Sequence, residues 1–280
     1  MSHFLQYYFD HRQYFYSDRI IDSLYDCPPD IIWNGGRNVY IIQQAPIEQI
    51  IQSYRKFSDI HLRHTFTNCK LNSIMIKNYK CNDFVKRYVT PNDKIIINSP
   101  LLIEWFKNHY PYLELIYSTT LGITDINEVN ELTKNNIYVM NYNYNNDNTY
   151  ISKLTYPEHI EILCAEPCMP NCPHRMEHYG VISKTVMDSK SVDSEFIRAN
   201  CPTYKMFLKT KFNFNDIQNF STAISNERVD ELSNMGIKYF KISGRHMPAE
   251  ALLEIFLYYL VKPEHKCIVE QAMLAAKVIT

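Results

Sequence analysis

Apolar and polar positions fall along this chain in short blocks of two kinds. Residues 60–69 (I-H-L-R-H-T-F-T-N-C) and 237–245 (I-K-Y-F-K-I-S-G-R) alternate with a period of two, the pattern of a half-buried strand. Residues 94–98, 113–117, 137–141 and 160–165 are short, apolar-rich runs, as expected of strands covered on both faces. Between them the period changes. Ile47, Ile50, Ile51, Tyr54 and Phe57 share one face at helical spacing, and helices are also predicted over 83–88, 101–108, 124–132, 228–235 and 248–261. Ser99-Pro100 and Ser225-Asn226-Glu227 are helix starts, and Gly236 is a helix stop. At the N-terminus the pattern predicts a strand over 4–10, a helix over 16–25, and a second strand over 30–37. That strand closes on Gly35, Gly36 and Arg37, where paired glycines allow a tight turn or a close approach. An extra strand is predicted over 204–209, a loop over 141–148 and a polar connection over 188–200.

These elements make about eight strand–helix units over roughly 250 residues, the size of a (β/α)8 TIM-like barrel. A doubly wound sheet is the alternative, because counting strands does not by itself close a barrel. No stretch is rich enough in Pro, Gly or Ser to act as a linker, so residues 1–280 are expected to form a single α/β domain. A hydrophobic content of 46% supports a sizeable core, and the net charge of -1 argues against a general polyanion binder. The first ten residues lack a basic region followed by an apolar core, and the apolar stretch at 251–261 is interrupted by Glu254. The expectation is therefore a cytoplasmic protein with no signal peptide and no membrane partner. In that setting eight cysteines read as thiols or metal ligands rather than a disulfide framework.

The densest chemistry lies in 160–175, I-E-I-L-C-A-E-P-C-M-P-N-C-P-H-R. It holds Cys164, Cys168 and Cys172 within nine residues, and Pro167, Pro170 and Pro173 end any regular pairing there. If the strand runs through Cys164, four extended residues carry Cys168 about 13 Å away, too far for both to hold one small centre. Cys168 and Cys172 sit in a loop that can fold back, and Cys201 again precedes a proline in a loop. A centre held by Cys168, Cys172 and Cys201, with Cys69 or Cys164 as fourth ligand, suits the all-thiolate ligation of an iron–sulfur cluster. The alternative for any free cysteine is a small core hydrophobe, the reading preferred for Cys27 and Cys267 and, less strongly, for Cys81 and Cys164.

Polar residues close most of the predicted strands: Asp10, Arg37, Asn68, Asn98, Ser118, Asn141, Glu166 and Arg245. In a barrel such positions converge on one mouth, where sites are built. Tyr239, Lys241, Ser243 and Arg245 share one strand face, and the two cations there offer donors to an anion, or ion-pair within the barrel. His174 and His178 stand at helical metal spacing, and Arg175 beside Cys172 offers a contact for a substrate anion. No Ser-His-Asp arrangement, nucleophile elbow or phosphate-binding glycine loop is present.

At K-I-S-G-R (241–245), preceded by a helix and Gly236, and at I-E-I-L-C-A-E-P-C, the chain resembles the peptidase U32 family, the collagenase-like proteases. T-F-T-N (65–68) and I-N-S-P (97–100) are similar to that family's barrel strands. Ser243 stands where the family has Glu, and the central cysteines are more tightly spaced. The resemblance implies a barrel carrying a 4Fe-4S cluster, with Cys168 as its best-matched ligand and Cys172 and Cys201 as later members of the set. It implies either oxygen-independent hydroxylation of a small molecule or RNA base, with a second U32-like protein as a partner subunit, or a peptidase; a cluster-free barrel that only binds a partner or small molecule is the third alternative. The site expected is Glu166, Lys241 and Arg245 as catalytic groups, with Asp10, Arg37, Asn68, Asn98 and Arg175 binding substrate.

Overall fold

The computed structural model describes residues 1–26, 31–35, 46–188, 194–207, 214, 218–219, 221–244 and 248–276. Seven strands among them form one sheet: β1 (Ser23–Asp26), β2 (His61–Phe66), β3 (Lys94–Ile97), β4 (Glu114–Tyr117), β5 (Ile137–Val139), β6 (Ile160–Leu163) and β7 (Tyr239–Lys241). They lie side by side in chain order, and every neighbouring pair is parallel. Parallel neighbours need a crossover between them. Helices supply most of these: α1 (Ser2–Asp10) precedes the sheet, and α2 (Ile47–Arg55), α3 (Tyr79–Tyr88), α4 (Pro100–His109) and α5 (Ile126–Thr133) follow β1 to β4. Only single turns, Tyr142–Tyr144, Asn148–Ile151 and Pro157–His159, link β5 to β6. Between β6 and β7 come α6 (Arg175–Met187), α7 (Ser194–Asn200), α8 (Pro202–Phe207) and α9 (Asn226–Asn234), and α10 (Ala249–Leu260) and α11 (Lys266–Ala275) end the described chain.

The sheet is curled. Arg63 on β2 ion-pairs with Glu161 on β6, although four strand spacings of a flat sheet would hold these strands about 19 Å apart. Alternation then gives two differently filled faces. Leu62, Phe66, Ile95, Ile97, Leu115, Ile160 and Ile162 pack outward in one core with Phe84, Leu102, Phe106, Val129 and Leu232 of the helices. Ile96, Ile116, Ile137, Val139 and Leu163 fill the concave side in a separate cluster with Tyr142. A buried branched or aromatic side chain contributes about 1.5–3 kcal/mol, so these two layers dominate the stabilisation of the sheet.

The edge strands β1 and β7 share no backbone pairing among the described residues. They meet through a side chain, Tyr25 donating to the Ile242 carbonyl at 2.8 Å. Helices cover the opening. Phe4 of α1 packs on Phe256 of α10 with ring centroids 4.8 Å apart, and Phe15 bridges Val261 in antiparallel fashion. Phe4, Tyr8, Phe15, Leu253, Leu257, Val261, Val269 and Met273 form a third cluster there. No helix among the described residues is long and apolar enough to cross a membrane.

Four sequence expectations are corrected. Residues 4–10 lie in α1, whose buried Phe4, Leu5 and Tyr8 fall at helical spacing; the aromatic content misleads because strand propensity yields to packing. The helix expected over 16–25 is instead the approach to β1, fixed by pairing Ser23 with His61 and Tyr25 with Arg63. The strand expected at 204–209 is α8 as far as Phe207, with Pro202 as its first residue, the position where proline suits a helix; 208–209 lie outside the described residues. The described part of 30–37 is a turn, not a strand. There the turn abuts the end of β2, its Trp33 carbonyl accepting from Asn68 N at 3.0 Å, and a Cβ on Gly35 would stand 2.6 Å from Asn68 Cα. The glycine is needed for that close approach. Gly36 and Arg37 fall outside the described residues.

Candidate functional site

The C-terminal rim of the sheet carries two neighbouring pockets. The first, of about 40 Å³, lies on the concave side and is lined by hydroxyls: Thr65, Thr67, Ser118, Thr119, Thr120 and Ser243. Most of these follow from the strand-end pattern, since β2 leaves the sheet at Thr67 and β4 at Ser118, Thr119 and Thr120. Asn98 sits among them, donating to Thr120 Oγ1 at 2.9 Å and to the Thr67 carbonyl at 3.1 Å. Its Oδ1 is buried with no hydrogen-bond partner among the described residues. Ser243 donates to the Ala165 carbonyl at 2.9 Å, extending the contact of β7 with β6. Asn68, in contrast, is satisfied by backbone: it donates to Ile32 at 2.7 Å and to Ser183 at 3.3 Å, and accepts from Lys70 at 2.8 Å.

The second pocket, of about 30 Å³, is lined by Cys168, Cys172, His174, His178 and Cys201, with Arg175 at its wall. The proline-rich loop does fold back. Asn171 adopts φ 51°, a left-handed conformation that Asn tolerates better than most residues, and its N–H is held by Asn143 Oδ1 at 2.9 Å. Thr203 donates to the Pro167 carbonyl at 3.1 Å, drawing the start of α8 and Cys201 to the loop. Cys201 Sγ accepts from Tyr204 N at 3.4 Å. All three thiols are partly exposed.

Glu166 and Arg175 hold this loop. Glu166 is fully buried and accepts from Cys168 N at 3.4 Å. Arg175 donates to Asn143 Oδ1 at 3.1 Å and to the Met169 carbonyl at 3.0 Å, with its guanidinium 3.8 Å above the Tyr142 ring. It is a strut between the loop and the segment after β5.

The other expected residues are placed elsewhere. Cys69 is exposed, its sulfur 3.4 Å from Ser183 Oγ on α6, and does not line the thiol pocket. Cys164 is buried in the outer core, and burial pushes its thiol well above the ordinary range. Asp10 lies at the exposed end of α1, accepting from Gln6 at 3.0 Å, rather than at a strand end. Arg37 and Arg245 fall outside the described residues. Among the described residues, no three His, Cys, Asp or Glu side chains stand as a ready site for one metal ion.

Sequence reasoning placed Lys241 on the barrel side but missed the buried charges it meets there, Arg63 and Glu161. Arg63 donates to Glu161 and, at 3.1 Å, to Asp22. Lys241 stands 3.7 Å from Glu161 and 3.9 Å from the Tyr25 ring. Burial acts to raise the Glu161 carboxyl, but Arg63 and Lys241 outweigh it and hold the group below its ordinary range. The signal was present in I-E-I-L and H-L-R-H-T-F, each with a charge in mid-strand where an apolar residue is the usual choice. Comparison with protein-family models, with curated proteins and with solved structures yields no match for this chain.

Proposed function

We propose that this chain is a (β/α)8-type barrel protein of the U32 kind that carries a cysteine-ligated iron–sulfur centre, of the 4Fe-4S type. Its activity is oxygen-independent hydroxylation, or a related redox modification, of a small polar molecule or a nucleobase. The observation that supports this reading is the gathering of Cys168, Cys172 and Cys201 around one pocket at the sheet's C-terminal rim. Cys201 is distant in sequence from the other two, so nothing local brings it there. The donor set fits the group: partly exposed thiols are the ligands iron–sulfur clusters take, and a four-iron cluster spreads its ligands wider than a single ion does. Cys168, Cys172 and Cys201 would hold it. His174 and His178, which line the same pocket, are the donors available for a fourth position.

When bound, such a centre supplies one-electron transfer. The chain's own part is to hold the ligand loop through Glu166 and Arg175 and to present the adjoining hydroxyl-lined pocket, which suits a polar, uncharged group. Anaerobic reconstitution with iron and sulfide tests the reading. The protein is expected to turn brown and retain both elements, and Cys168→Ala, Cys172→Ala or Cys201→Ala to lose them, while Cys267→Ala keeps them. Full iron and sulfide content in Cys168→Ala protein would overturn the ligand assignment. A colourless wild type would overturn the centre itself.

A further inference from the structure

The incomplete closure of the sheet leaves a second cavity, away from the thiol pocket. It lies between β1 and β7 beneath α1 and α10 and holds about 300 Å³, at the lower end of the roughly 300–1,000 Å³ typical of small-molecule sites. Its two ends differ. At the C-terminal end of the strands Tyr25 donates to the Ile242 carbonyl at 2.8 Å and closes the gap. At the N-terminal end the lining residues Ile20 and Lys238, which immediately precedes β7, are exposed, so the cavity opens there. Between the ends the helices supply an apolar wall, Phe4 and Leu5 from α1 and Leu252, Phe256 and Leu260 from α10.

The charged lining consists of the acids Asp22 and Glu161 and the bases Arg63, Lys238, Lys241 and the Met1 amino group, four bases against two acids. The acids are already answered. Arg63 donates to Glu161 and, at 3.1 Å, to Asp22, and Lys241 stands 3.7 Å from Glu161. Burial acts to raise both carboxyls, but Arg63 outweighs it, with Lys94 at Asp22 and Lys241 at Glu161, and both lie below their ordinary range. Glu161 and Arg63 are 1% and 5% exposed, so that pair is sealed within the sheet. The positive excess therefore rests on Lys238 and the Met1 amino group. Neither has a hydrogen-bond or ion-pair partner among the described residues. Burial pushes the Met1 amino group below its ordinary range, the mark of a cation partly withdrawn from water with no anion beside it.

We propose that this cavity binds a medium-chain fatty carboxylate, its head paired with Lys238 and the Met1 amino group at the open end and its alkyl chain running along β1 and β7 between α1 and α10. A cationic head would add to the positive excess, and an alcohol would leave it unmet. A short acid such as acetate would satisfy the bases but leave the apolar wall in contact with water. The carboxylate enters from the N-terminal side of the sheet, opposite the thiol pocket at the C-terminal rim, so the site stands independently of the iron–sulfur reading.

Octanoate, octanol and octylamine share one chain and differ in head charge, which makes them the probes, at submillimolar concentration with the full chain. Octanoate is expected to raise the melting temperature in a dose-dependent way and to bind about tenfold tighter than octanol or octylamine by isothermal titration calorimetry. Hexanoate should bind more weakly and decanoate more tightly, because each added methylene is buried. Lys238→Glu reverses the charge at an exposed position, so it should weaken octanoate about tenfold or more while the ligand-free protein melts as wild type does; Lys238→Arg should retain binding. Lys80→Glu makes the same change of net charge at an exposed position of α3 that does not line the cavity, and should bind octanoate as wild type does. Equal binding of the three octyl probes, undiminished octanoate binding in Lys238→Glu, or an equal loss in Lys80→Glu would overturn the site.

Discussion

The Arg63–Glu161 pair links β2 directly to β6 across the concave face, and removing it should loosen the curl of the sheet. Both side chains are buried, at 6% and 1% exposure. Removing one partner of such a pair costs about 3–5 kcal/mol, chiefly by stranding the other charge. Here the remaining ions soften the loss, because Asp22 still accepts from Arg63 at 3.1 Å and Lys241 stays 3.7 Å from Glu161. Arg63→Met and Glu161→Leu are therefore each expected near the lower end, about 3 kcal/mol. The double variant removes one charge of each sign and leaves the cluster neutral. Additivity would make it about 6 kcal/mol; a buried pair should bring it to about 4, a coupling of about 2 kcal/mol. Urea unfolding at pH 7 measures all three, followed by the fluorescence of Trp33 and Trp105, of which Trp33 is fully buried. If the two single losses simply add, or if each falls below about 1 kcal/mol, the pair does not hold the sheet and the reasoning fails.

Acid should unfold the protein through its buried carboxylates. At Glu161 and Asp93 burial acts to raise the acid, but the partners outweigh it: Arg63 and Lys241 at the first, His64 and Arg55 at the second. Both folded-state values therefore lie below the ordinary 4.5 and 3.8. The stability they contribute is present in full above those ordinary values and is lost as pH falls through the lowered ones. The urea midpoint should fall steadily below about pH 4.5, and Asp93→Asn should be weaker at pH 7 but flatter in acid; a wild-type midpoint unchanged down to pH 3 would contradict this. Gly35→Ala should cost about 2 kcal/mol by overpacking, since its Cβ would meet Asn68 Cα at 2.6 Å and the Thr67 carbonyl at 2.7 Å. Thermal unfolding reads that loss directly, and a variant as stable as wild type would show that the turn gives way.

Where a strand could be read from the sequence, it was read from burial alone. β2 to β7 each carry an apolar run or a clean alternation, and the helices between them carry caps that local chemistry explains. Asp125 accepts from Asn127 and Glu128 N–H groups, and Ser225 from Arg228 N–H. The N-terminal part was opaque because its structure is decided at long range. S-L-Y-D has no strand pattern of its own and is a strand because β2 pairs with it. Residues 4–10 are aromatic enough to suggest a strand, yet α1 exists to cover the opening between β1 and β7. The thiol loop was legible in part. Its prolines say that regular pairing ends, and Asn171 is a residue that accepts a left-handed turn. That Cys69 and Cys164 lie away from the pocket depends on which side of α6 and of β6 they occupy, and residue spacing carries no such information.

The placement of cations decides what the rim can hold. Lys241 lines the hydroxyl pocket, but Glu161 lies on the same concave face 3.7 Å away and the Tyr25 ring covers it at 3.9 Å. Its charge is balanced within the sheet rather than offered outward. Arg175 has two of its nitrogens committed to Asn143 and the Met169 carbonyl, and an anion could claim them only by releasing the loop that carries Cys168 and Cys172. The two cations that the sequence suggested for an anionic substrate, and that the structure describes, are thus occupied in building the site. Thr67, Thr119 and Ser243 line the rim pocket with their protons already given to the Gly35, Met140 and Ala165 carbonyls at 2.6, 3.1 and 2.9 Å, so what these hydroxyls have left to offer is acceptor lone pairs. Together they favour a neutral substrate bearing N–H or O–H groups over a carboxylate or phosphate, because buried polar atoms select the ligand that satisfies them and penalise the one that leaves them unpaired.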